Sequence, residues 1–92
     1  MLTHVVMMKL VDRADAARAK ELLDGLAGRV PTLRSVTVGV DALAATTYSW
    51  DLVLQTTHDD ADGLRAYQAH AAHQEVVGWL GSRIATRAIV DY

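Results

Sequence analysis

The nine residues "LTHVVMMKL", Leu2 to Leu10, constrain this chain more than any other stretch. They alternate as a strand, with Leu2, His4, Val6, Met8 and Leu10 on one face and Thr3, Val5, Met7 and Lys9 on the other. Both faces are partly apolar. A sheet covered on one side only shows a polar outer face, so Val5 and Met7 predict cover on both sides. The chain has 92 residues and is expected to be a single domain over 1–92. A domain of that length buries only roughly 60–65% of its unfolded surface alone, so the second cover is expected to be another copy of the chain.

The remaining segments define the frame. Asp12 is an N-cap candidate for a helix through "RADAARAKELLDGLAG", whose apolar stripe is Ala19, Leu22, Leu23 and Leu26, and Gly28 and Pro31 mark its end. "LRSVTVGV" places Val36, Val38 and Val40 at period two, with Gly39 as a bulge candidate. Tyr48 to Thr57 reads as a third strand, its inner face being Tyr48, Trp50, Leu52 and Leu54. Asp59 or Asp60 caps a helix through "ADGLRAYQAH", and "HQEVVGWLGSRI" is helical again, either as the same helix or as a second one. "IATRAIVDY" is a fourth strand, with Ile84, Thr86, Ala88, Val90 and Tyr92 on one face and Ala85, Arg87, Ile89 and Asp91 on the other. The succession β-α-β-β-α-β is that of a ferredoxin-like α+β fold, an antiparallel four-stranded sheet with helices on one face. Its open face, carrying Val5, Met7 and Val53, is expected to meet the same face of a second copy, giving a homodimeric α+β barrel.

Composition excludes several partners. Nine basic and eleven acidic residues leave a formal charge of −2 without a basic stripe, which argues against nucleic acid and membrane surfaces. The apolar run at the start is interrupted by His4 and Lys9 and is too short for a secretory h-region or a membrane span. With no cysteine there is no disulfide or thiolate chemistry, and a cytoplasmic location is expected.

The stretch "AYQAHAAHQEVVGWL" holds the residues of greatest chemical interest, Tyr67, His70 and His73. His73 falls on the apolar stripe with Val76 or Val77, Leu80 and Ile84, facing either a cavity as a neutral base or the core as a hydrogen-bonded structural residue. Tyr67 shares a face with Leu64 and reaches the same space if the helix breaks between them; otherwise it is a core residue with one wet end. His70 is expected to cap the helix C-terminus as a cation. His4, on the inner face of the first strand, is a pocket candidate or a satisfied core histidine, and His58 is expected in a solvated loop. Trp50 and Trp79 are candidate pocket walls or interface residues. His4, His70 and His73 lack an acidic residue to complete a metal site, so neither a metal nor a cofactor is expected.

His4, "VPTLRSVTVG", "YSWDLVLQTT", "LRAYQAHAAH" and the terminal "IVDY" together resemble the stress-responsive α+β barrel (Dabb) family over essentially the whole chain. The family's Tyr-x-x-His-Pro-x-His pattern appears as Tyr67, His70, Ala71 and His73, with alanine in place of the proline that usually breaks the helix. The resemblance implies a dimer joined through the open sheet face and a pocket between sheet and helices. Most members have no assigned reaction. Plant polyketide cyclases of the olivetolic acid cyclase type imply a lyase role, with His73 and Tyr67 acting on a small apolar or polyketide-like ligand and His4 lining the pocket. A further pocket tyrosine of those cyclases corresponds to Leu26, which implies a different ligand or none. The alternatives are a non-catalytic stress-associated binding protein and, by analogy with neighbouring families, a cofactor-independent or haem-degrading monooxygenase.

Overall fold

A computed structural model describes residues 1–92. β1 (Leu2–Leu10), β2 (Ser35–Val40), β3 (Leu52–His58) and β4 (Ile84–Asp91) form one antiparallel sheet in the order β2-β3-β1-β4. β1 lies in the interior of the sheet, paired on both edges. α1 (Ala16–Asp24), α2 (Ala61–Ala69) and α3 (Ala71–Leu80) cover one face, and the core lies between them and Val6, Met8, Leu52 and Leu54 of the sheet. This is the ferredoxin-like α+β arrangement. No helix is long and apolar enough to cross a membrane.

The caps follow the local chemistry. The Asp12 carboxylate accepts from the Ala14 N–H at 2.9 Å and starts a 3-10 turn, Arg13–Asp15, that leads into α1. Ala16, Ala19 and Leu23 of α1 are buried, Leu22 only partly, and the chain leaves the helix through Gly28 at φ 77°, a left-handed conformation that favours glycine. Asp60, not Asp59, caps α2 by accepting from the Gly63 N–H at 2.8 Å.

Three expectations need correction. The β2–β3 ladder runs without a shift from Ser35 opposite Thr57 to Val40 opposite Leu52, so Gly39 is not a bulge. A Cβ there would meet Val53 Cγ1 at 3.2 Å, and that close approach is what the glycine allows. The irregularity lies instead between Lys9 and Leu10 in the β1–β4 ladder. It sets Ile84 opposite Leu10 on the helix side, while Thr86, Ala88 and Val90 face outward opposite Lys9, Met7 and Val5.

The third correction concerns the start of β3. Tyr48 is 87% exposed and Trp50 lies outside the strand, because strand pairing begins only at Leu52, opposite Met8 and Val40. The Asp51 N–H still donates to the Met8 carbonyl, but its carboxylate takes the Leu10 N–H at 2.7 Å, ending the ladder. Thr46 folds the preceding residues into a turn, accepting from Tyr48 N–H through its hydroxyl and from Ser49 N–H through its carbonyl. On the uncovered face Met7, Val53 and Val90 are exposed, as β1 predicts.

Candidate functional site

The site begins with a helix break that no proline enforces. His70 has φ −67° and ψ 142°, an extended conformation that ends α2 and starts α3. Its Nδ1 accepts from the Ala72 N–H at 3.0 Å, so it caps the N-terminus of the following helix as an acceptor rather than the C-terminus of the preceding one as a cation. In a continuous helix the Ala72 N–H would bond to the Gln68 carbonyl. Freed from that bond, Gln68 O accepts from the side-chain amide of Gln74 at 2.6 Å and from His73 Nδ1 at 3.0 Å.

That second bond defines His73. Nδ1 must carry the proton to donate to a carbonyl, which leaves the lone pair of a neutral ring on Nε2. The ring is half-buried, and desolvation pushes its pKa below the ordinary 6.5; the bond to Gln68 opposes the shift, and the nearby His4 adds to it. His73 is therefore an unprotonated base at neutral pH.

Tyr67 is packed against it. The two rings meet edge to face with centroids 4.6 Å apart, and Tyr67 is 1% exposed. Burial pushes its phenol up to about 12, so it remains a neutral donor, yet its hydroxyl oxygen has no partner and is shielded from solvent. A ligand oxygen can take that hydrogen bond only when the surrounding side chains give way. Behind Tyr67 stands His58, tilted across it at 5.0 Å. His58 is 0% exposed, and its ring donates from Nδ1 to the Thr32 carbonyl at 2.8 Å and accepts at Nε2 from the Thr56 hydroxyl at 2.9 Å. It is a buried wedge rather than the solvated loop residue expected.

His73, Tyr67 and His4 all line one cavity of about 180 Å³ between the sheet and the helices. Its walls are mostly apolar, among them Val6, Leu54, Val76 and Leu80, and Gln68 and Arg87 are its other polar residues. His4 is buried, and its Nδ1 donates to the Asp91 carboxylate directly across the β1–β4 ladder. The helices leave the inner face of β4 less covered, with Arg87, Ile89 and Asp91 exposed, so the cavity opens along that edge. A closed space of ~150 Å³ holds one benzene ring, and drug-sized ligands need ~300–1,000 Å³. This cavity takes a single ring.

Three expected wall residues lie elsewhere. Leu26 is 0% exposed inside the core and does not reach the cavity. Trp50 borders a groove with Met7 and Val53 on the uncovered sheet face, with the Lys9 ammonium 5.7 Å from its ring. Trp79 lies in an outer groove between α1 and α3, under the Arg83 guanidinium at 4.3 Å. Two residues that sequence reasoning did not place are Asp91, which only the strand register brings to His4, and Gln68, whose carbonyl matters only once the helix has broken. No group of three or more His, Asp or Glu side chains is arranged to hold a metal.

Fold and cavity together define a ferredoxin-like α+β domain with Tyr67 and His73 in ring contact beside a cavity between sheet and helices. The chain belongs to the family described as Stress responsive A/B Barrel Domain, whose sequence model matches residues 2–92. Among curated proteins nothing matches. Among solved structures, a dimeric protein of unknown function with a ferredoxin-like fold from Bacteroides fragilis is 24% identical, with a TM-score of 0.85, over 99% of this chain and 93% of its own. An antibiotic biosynthesis monooxygenase is 14% identical, with a TM-score of 0.77, over 100% and 96%. A hydroxynitrile lyase from Passiflora edulis is 10% identical, with a TM-score of 0.79, over 99% and 90%. At these identities the likeness is one of fold.

Proposed function

We propose that the cavity binds a small carbonyl compound and catalyses an aldol-type ring closure without a cofactor, in the manner of a polyketide cyclase-like lyase. One observation carries this reading: His73, with a free Nε2, and Tyr67, whose hydroxyl has no partner, are in ring contact beside the same cavity. His73 removes a proton from the carbon between two carbonyls, and Tyr67 donates a hydrogen bond to the enolate oxygen. The enolate carbon then attacks a distal carbonyl carbon to form the new C–C bond, and the resulting alkoxide takes the proton back from His73. His4, held by Asp91, walls the ring-forming space. The size of the cavity limits the folded part of the substrate to one six-membered ring.

The test supplies a linear poly-β-keto thioester to the protein and to His73→Gln and Tyr67→Phe, with products followed by mass spectrometry. Each variant is expected to lose about 10²–10⁴-fold in ring-closure rate. Rates equal to the parent in both variants overturn the reading. They would favour a binding protein without turnover, which the shielding of the Tyr67 hydroxyl from solvent also supports. The active form is proposed as a homodimer through the uncovered sheet face, supported by the exposed Met7, Val53 and Val90 and by the dimeric relative.

A further inference from the structure

The cations of this chain are accounted for, with one exception that bears on the cavity. Arg13, Arg18, Arg29, Arg34, Arg65 and Arg83 each lie within ion-pair distance of an acidic side chain. Lys20 pairs with Asp24, and Lys9 donates to the Thr47 carbonyl on the opposite side of the sheet. Arg87 alone among the arginines has no acidic partner, and it is also the one arginine that lines the cavity. The strand explains its isolation: Asp91, the acid on the same face of β4, is four residues away, or ~13 Å, and is taken by His4. The cavity thus holds one uncompensated positive charge at its mouth, the imidazole of His73, and an apolar body.

We infer that the ligand of this cavity is a small monocarboxylate, its carboxylate paired with Arg87 at the β4 edge and its apolar body against Val76 and Leu80. The guanidinium fork matches a carboxylate with two parallel hydrogen bonds, and such a pair gains strength beside apolar walls. A dianion is disfavoured, since a single arginine faces it and the Asp91 carboxylate stands at the same edge. A free carboxylic acid therefore suits the site better than a thioester or an amide. The inference rests on the cavity described under the proposed function and adds the charge class of its ligand; it does not depend on turnover.

The experiment titrates benzoate, which fits a one-ring cavity, and its neutral isostere benzamide into the full chain, following the methyl signals of Ile89, Val76 and Leu80 by NMR. Benzoate is expected to bind about ten- to a hundredfold more tightly than benzamide, the value of one charge-assisted contact. Arg87→Gln should bring benzoate down to the benzamide level and leave benzamide unchanged, whereas Arg87→Lys should keep part of the preference. Arg87 is exposed on an edge strand, so both variants are expected to fold. Equal affinities for the two probes, an unaltered preference in Arg87→Gln, or no binding of either probe overturns the inference. Selective benzoate binding without ring closure would sink the catalytic reading alone. Turnover of a neutral thioester without benzoate selectivity would sink this inference alone.

Discussion

Tyr67→Phe removes one oxygen and leaves the ring. In the folded chain that oxygen is buried without a protein partner, which costs ~1–3 kcal/mol relative to a paired or hydrated hydroxyl. The aromatic contacts at 4.6 Å to His73 and 5.0 Å to His58 belong to the ring and survive the change. The variant is therefore expected to be more stable than the parent, by about 1 kcal/mol at the lower end of that range. In a domain of this size each 1 kcal/mol moves the melting temperature by ~4–8 °C, within reach of thermal denaturation followed by circular dichroism. Urea unfolding with an unchanged m-value would locate the gain in stability rather than in compactness. The same variant loses ring closure, as a group held unpaired for a ligand should. A loss of ~1 kcal/mol or more on Tyr67→Phe would refute the reasoning, because it would mean that the hydroxyl has a partner within the folded chain.

His73 carries the pH dependence. Its folded-state pKa lies below 6.5, so the base form persists through neutrality and ring closure should fall on an acid limb with a midpoint below 6.5. Because the folded pKa is depressed, its contribution to stability is present above the unfolded value of 6.5 and is lost as the pH falls through the folded one. Tyr67, at about 12, imposes no alkaline limb below that value. Ala71→Pro should stabilise by ~0.4–1 kcal/mol in urea denaturation, since Ala71 is the first residue of α3, is exposed, and follows a residue already extended at ψ 142°. Met7→Lys should raise the dimer dissociation constant at least ~100-fold in sedimentation equilibrium, because an unpaired buried charge costs ~3 kcal/mol or more. A parent chain that is already monomeric would remove the dimer.

The fold was legible because its signals are local. β1 matches its alternation from Leu2 to Leu10, the Asp12 cap is the one expected, and the order of periods names the topology. What depends on register was not legible. His58 continues the alternation of Leu52, Leu54 and Thr56, so ending the strand at Thr57 hid a buried histidine. Tyr48 and Trp50 keep the same alternation but lose their pairing partners, and period two cannot report a neighbour that stops. At the site, helical periodicity put His73 on the apolar stripe but left cavity and core open, and Tyr67 reaches the same space only because the helix breaks at His70. Asp91 needed the antiparallel pairing of the terminal strands, and Arg87 stood out only once every other arginine had been given its acid. Leu26 and Trp79 show the limit of reading size as location: one is core and the other lies in an outer groove.

The central claim is that the broken helix holds His73 as a neutral base with Nε2 free in the cavity. A long-range nitrogen–proton correlation spectrum of the imidazoles, recorded across the pH range, tests it most directly. The account predicts the Nδ1–H tautomer for His73, fixed by the Gln68 carbonyl, and a pKa below 6.5. A proton on Nε2 at neutral pH, or a pKa of 6.5 or above, would contradict it.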